Sequence, residues 1–184
     1  MMRLHPITFG RHRRGVAAVE FAFVVPILLL LLLGIWELGR IIHVQIIMNN
    51  AARDSARLAA QANIVATSGA YTQIKYNVGS PNVVDDVKAY LTAAGITNQN
   101  GLAVELQFVE PAKAGDPLPT STTDDPYKGV KNQRFRLKVS LPYANVRWST
   151  LSLINVSTLN AEVYWQCMVD DPFVVNTSLP GWSP

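Results

Sequence analysis

The stretch Val16–Trp36, VAAVEFAFVVPILLLLLLGIW, constrains this chain more than any other segment, because its twenty-one residues carry a single charge, Glu20. At 1.5 Å of rise per residue, a helix of that length covers about 30 Å, the thickness of a bilayer's hydrocarbon core. Ahead of it, residues 1–15 (MMRLHPITFGRHRRG) hold Arg3, Arg11, Arg13 and Arg14 and no acid. A basic flank of that kind stays on the cytoplasmic side, so the C-terminal part is expected outside. The same four arginines explain the chain's apparent basicity. The whole sequence has 16 Lys+Arg against 13 Asp+Glu, and without them the balance is 12 against 13. Nucleic-acid binding needs a basic face on the folded domain, and this composition predicts none.

A secretory signal peptide is the competing reading of the N-terminus. The apolar run is long for a signal core, and no small-x-small cleavage site follows the leucines. The chain continues instead through Glu37, Leu38, Gly39 and Arg40 with its helical pattern intact.

Glu20 is the informative residue within the span. A carboxylate in an apolar helix costs roughly 2.5–3.5 kcal/mol on insertion scales, which marks it for function. It lies five residues after Gly15. Were the chain cut after Gly15, Val16 would carry a new ammonium group. In an assembly that ammonium could pair with a neighbour's Glu20 and offset the desolvation. The plainer alternative is a protonated or snorkelling side chain near the end of the span. Pro26 removes the backbone bond to Ala22 and predicts a kink or loosened turn, although membrane helices tolerate proline without a special role.

From Glu37 the pattern turns amphipathic. Ile41, Met48, Ala52, Ser55, Ala59 and Ala62 recur at helical spacing, with Arg40, His43, Asn50, Arg53, Asp54, Arg57 and Gln61 mostly off the stripe. Nothing breaks the helix before Ser68-Gly69, so the expectation is one rod over about 16–66, divided into a span (16–36) and an amphipathic continuation (37–66). Ala52, Ser55 and Ala59, with Ala51, Ala56 and Ala60, are small enough for another backbone to approach closely. Another subunit and the chain's own sheet are equally good partners for that stripe.

Residues 70–184 read as a small outer domain, giving an α+β fold overall. Pro81-Asn82 opens a second helix, with Asn82 as N-cap and Asp85 and Asp86 in the first turn, and Gly95 ends it. Alternating residues over 102–108, 134–141 and 156–168 predict about three strands of an antiparallel sheet with one polar face. Between the first two lies a loop at 110–129 with four prolines, read as exposed.

No catalytic constellation is visible. His5, His12 and His43 all fall in the leader or near the span, leaving no histidine in the outer domain for a triad or a metal site. Phosphate-binding and dinucleotide motifs are absent. The pairs Asp85-Asp86, Asp124-Asp125 and Asp170-Asp171 lack the spaced oxygen ligands of a calcium loop, so capping and solvation account for them better. Cys167, the single cysteine, reads as a buried inert thiol on a strand. The chain is therefore expected to be no enzyme, with no cofactor, metal or small-molecule substrate. An anchored enzyme is the weakest alternative, having no residue set behind it.

The stretch RHRRGVAAVEFAFVVPILLLLLLGIWELGR resembles the N-terminus of TadE-like proteins, pseudopilins of tight-adherence (Flp-type) pilus systems. The basic leader, Gly15, the AAVEFA core around Glu20, Pro26, the leucine run and the closing E-L-G-R carry the likeness. NNAARDSARLAA (Asn49–Ala60) resembles the family's amphipathic continuation. The resemblance covers roughly residues 11–62 and stops there. It implies a pilin-like helix, cleavage by a prepilin peptidase after Gly15, an N-terminal Val16 open to methylation, and Glu20 as the assembly carboxylate. It also implies other pilin or pseudopilin subunits and the pilus assembly machinery as partners. The location implied is the inner membrane, in a single pass with the C-terminal domain periplasmic or carried into a pilus. A mature chain of 169 residues fits an accessory or minor pilin better than a major one. An uncleaved single-pass protein with a periplasmic binding or envelope-assembly module is the alternative.

Overall fold

The computed structural model describes residues 13–65, 71–147 and 156–168. Helix α1 (Arg13–Gln61) is 49 residues long and runs through Pro26 without interruption. At 1.5 Å per residue it extends about 73 Å. Its described side chains up to Trp36 are exposed, apart from the intermediate Val25 and Gly34. Beyond that point one face goes under, with Glu37, Val44, Met48, Ala52, Ser55 and Ala59 all buried. Their spacing of three, four or seven residues keeps them on a single side of the helix.

Ala62 ends the rod. It adopts the left-handed conformation at φ 56°, which costs a non-glycine residue roughly 1–2 kcal/mol. Its N–H donates to the Ala59 carbonyl at 3.0 Å, and its own carbonyl accepts from Ile74 N–H at 2.8 Å. The chain then forms β1 (Asn63–Val65), paired antiparallel with β2 (Tyr71–Gln73). The helix expected to reach about residue 66 is therefore shorter, and part of that stretch is strand.

Helix α2 (Val83–Ala93) starts as its sequence predicts. Asn82 Oδ1 accepts from Asp85 N–H at 2.8 Å. Gly95 turns the chain at φ 87°, and Ile96 N–H returns to the Leu91 carbonyl at 2.8 Å. This satisfies carbonyls that a helix end leaves open.

Strands β3 (Ala103–Phe108), β4 (Arg134–Pro142) and β5 (Thr158–Gln166) form one antiparallel sheet in the order β3-β4-β5. Leu106 faces Leu137, and Leu137 faces Val163. Val104, Leu106, Phe135, Leu137, Val139 and Leu141 point inward and are buried. The other face is polar: Lys138 pairs with Glu105 at 3.7 Å, and Arg136 donates to Gln107 Oε1 at 2.8 Å. That alternation lets one face meet water while the other packs. The second half of α1 packs on β5 and β4, the apolar side of α2 packs against α1, and all share one core in a two-layer domain. Each large side chain sealed there, such as Met48 or Leu91, contributes about 1.5–3 kcal/mol.

The loop at 110–129 is exposed through its first half, but its second half is bound to the sheet. Leu106 N–H donates to the Thr122 carbonyl at 2.8 Å, and Asp124 N–H donates to the Leu106 carbonyl at 2.9 Å. Asp124 Oδ2 accepts from Phe108 N–H at 3.0 Å, and Asp125 Oδ1 accepts from Tyr76 N–H at 3.1 Å. Asp124 thus satisfies a backbone donor on the open edge of β3 and Asp125 one in the segment between β2 and α2, so solvation alone does not describe the pair.

Candidate functional site

The residues singled out from the sequence fall into two groups on α1. Gly15, Val16, Glu20 and Pro26 lie on the exposed half. A Cβ added at Gly15 would meet no heavy atom within 4 Å. Val16 is exposed, and so are Phe21 and Phe23, which follow Glu20 within one turn. Glu20 is exposed as well, and among the described residues it makes no ion pair. This end of the helix presents an apolar rod with one carboxylate.

Ala52, Ser55 and Ala59 lie about 39 Å or more further along, counted from Pro26 at 1.5 Å per residue. All three have no exposed surface, because α2 and β5 cover them. The Ser55 hydroxyl donates to Asp86 Oδ2 at 2.6 Å. Of the two partners open to the small-residue stripe, the fold uses the chain's own sheet and second helix. Small side chains were needed there for a physical reason: they let α1 approach its own domain closely. As an assembly surface the stripe is already occupied, and it is not brought together with Glu20.

The junction between the two halves was not picked out as a site from the sequence. Glu37, the first polar residue after Trp36, is only 5% exposed. Its Oε1 accepts from the Tyr143 hydroxyl at 3.4 Å, and its Oε2 has no hydrogen-bond partner among the described residues. Burial raises the pKa of the Tyr143 phenol, and the nearby Glu37 carboxylate raises it further. One turn on, Arg40 Nε donates to the Val146 carbonyl at 3.1 Å. These two contacts fix the turn after β4 against the base of the domain's share of α1. A polar pair at i, i+3 directly beyond the apolar run was the available signal, and it reads equally well as solvated.

Cys167 is buried, and burial pushes its thiol up to about 11. It sits beneath Gly129, where an added Cβ would come within 2.6 Å of Sγ. A thiol so placed is a packing element.

Residues 15–57 match the family model described as TadE-like protein. The matched segment spans the exposed rod, the junction and most of the buried stripe, and it leaves out the sheet. No curated protein and no solved structure matches the chain.

Proposed function

We propose that this chain, which carries a TadE-like domain over residues 15–57, is a pilin-like accessory subunit of a tight-adherence pilus that works by helix packing. The domain associates the chain with Tad pilus machinery in general. Prepilin peptidase removes residues 1–15, Val16 becomes the N-terminus, and the Glu20 carboxylate takes a neighbouring subunit's ammonium. The partners are other pilin or pseudopilin subunits, met in or from the inner membrane. The chain performs no catalysis and takes no cofactor.

The observation that carries this reading is the division of α1. Its outer half is consumed by the chain's own core, while Val16–Trp36 is left as an exposed apolar rod bearing one carboxylate. The rod is long and apolar enough to cross a membrane. An isolated buried charge is unfavourable and a paired one much less so, which gives Glu20 a reason to meet a partner when rods pack.

Intact-mass measurement of membrane-extracted protein from cells expressing the cognate peptidase tests the reading. Mature protein should begin at Val16, and Gly15→Leu should retain the leader. Full-length wild-type chain in piliated cells would overturn it in favour of an uncleaved single-pass anchor.

A further inference from the structure

The end of the domain nearest the apolar rod is built from three pieces: Arg40 of α1, the turn that follows α2, and the turn that follows β4. Arg40 stands four residues beyond Trp36, roughly 6 Å along the helix axis. Its bond to the Val146 carbonyl employs one of the guanidinium's five donors and holds the half-buried side chain against the domain. Arg147, the next residue, is exposed. The two arginines line a single open cleft together with Thr97, Asn98 and Asn145. Asn145 is already engaged, donating to the Asn100 carbonyl. Among the described residues, neither arginine has a carboxylate within 4.0 Å. Glu37, the acid nearest to Arg40 in sequence, is buried beside Tyr143.

Two unpaired arginines on an ordinary surface need no explanation. Here their level gives them one. Trp36 is exposed at the close of the apolar run, where a tryptophan ring seats among lipid headgroups. The cleft opens just past it, within reach of headgroup phosphates. The bias that places cations on the cytoplasmic side offers no reason for an arginine pair at the opposite end of the span. Guanidinium forks match phosphate oxygens in both geometry and charge.

We propose that this cleft binds the phosphate of a membrane lipid headgroup on the C-terminal side of the span. Arg40 and Arg147 are its charged ligands, with the Thr97 hydroxyl and Asn98 amide as neutral donors. The site would set the depth of the rod and the seating of the domain on the bilayer. It rests on reading Val16–Trp36 as a membrane span.

Native mass spectrometry of the full chain in detergent, titrated with phosphatidylglycerol, tests the site. Wild type should retain one lipid. Arg147→Gln and Arg40→Gln should each weaken retention about fivefold, the change that corresponds to about 1 kcal/mol per basic residue near anionic lipid. Arg53→Gln, on the exposed face of α1 well away from the cleft, should leave retention unchanged. Equal retention by wild type and Arg147→Gln overturns the proposal, and that variant alters an exposed side chain that makes no hydrogen bond or ion pair to another described residue. Displacement of the lipid by millimolar inorganic phosphate would also overturn it, assigning the cleft to a free anion. Loss of an acidic protein partner in the arginine variants, with lipid retention intact, would overturn it in favour of a protein contact. Carbonate washing separates the premises: release of the full chain from membranes sinks the span itself, whereas an integral chain with unaltered lipid retention sinks only the cleft.

Discussion

The Ser55 hydroxyl donates to Asp86 Oδ2 at 2.6 Å, joining the buried stripe of α1 to the first turn of α2. Hydrogen bonds to a charged acceptor are worth about 1.5–3 kcal/mol. Asp86 keeps partial access to water, so Ser55→Ala should cost toward the lower end of that range. Ser55→Leu should cost more, because α2 leaves no room for the added methylenes. Urea unfolding of the domain reads both. A midpoint for Ser55→Ala equal to wild type would remove this bond from the account of stability.

Removing residues 1–36 should leave a domain that folds, since Val44, Met48, Ala52 and Ala59 all remain to cover the sheet. Removing residues 1–62 strips that cover from the inner face. We expect the shorter protein to aggregate or to lose its near-ultraviolet dichroism while the longer one stays dispersed and cooperative. Two equally folded products would mean that α1 contributes little to the core.

These two cuts mark where the sequence could and could not be read. The apolar run, the Asn82 cap and the three alternating strands are local patterns, and each reappears in the structure at nearly its expected bounds. Ala62 was beyond reach because its left-handed turn is imposed by Ile74 and the β1–β2 ribbon on a residue that ordinarily favours helix. The partner of the Ala52–Ser55–Ala59 stripe was undecidable for a different reason. Small residues announce close approach without saying what approaches. Asp124 and Asp125 looked like loop solvation because their acceptors serve amides at Phe108 and Tyr76, 16 and 49 residues away. The processing and assembly roles proposed for Gly15, Val16 and Glu20 depend on partners outside a single chain.

Gly129 has an ordinary φ of −67°, so its objection to a side chain is purely steric. An added methyl would meet Cys167 Sγ at 2.6 Å and Phe108 Cε1 at 2.9 Å. Gly129→Ala should therefore destabilise by about 1–3 kcal/mol. Combining it with Cys167→Ala should recover part of that loss, and a thermal-melt cycle of the four proteins would show the coupling. Strict additivity would place the clash elsewhere.

Asp125 should make the domain sensitive to acid. Burial pushes its pKa up, but the Tyr76 amide and the Lys128 ammonium together hold the carboxyl below its ordinary 3.8. A carboxyl with a depressed folded pKa adds stability above its unfolded value, and that stability is lost as pH falls through the folded one. Unfolding midpoints should thus decline below about pH 4. Asp125→Asn should flatten that decline while lowering stability at neutral pH. An unchanged acid slope in the variant would assign the sensitivity to other carboxylates.

Glu20→Gln keeps the shape of the side chain and removes its charge, so insertion should be at least as easy. Glu20→Lys brings two cations together where an ion pair is proposed. Both variants should reach the membrane, with piliation falling in the order wild type, Gln, Lys. N-terminal mass must accompany each measurement, because a change this near Gly15 can slow the peptidase. A Gln variant that is cleaved normally and piliates at wild-type level would leave Glu20 a protonated or snorkelling residue.

Because α1 continues from the apolar rod into the core without a linker, the outer domain has no swivel. A torque or pull applied at Val16 arrives at Met48 through one continuous helix. The one backbone hydrogen bond missing by chemistry lies at Pro26, roughly 16 Å below Glu37 along the axis. Any tilting of the head is therefore levered from within the apolar rod, and the domain moves as the far arm of that lever. A flexible spacer inserted after Trp36 would uncouple the two arms while leaving each one folded.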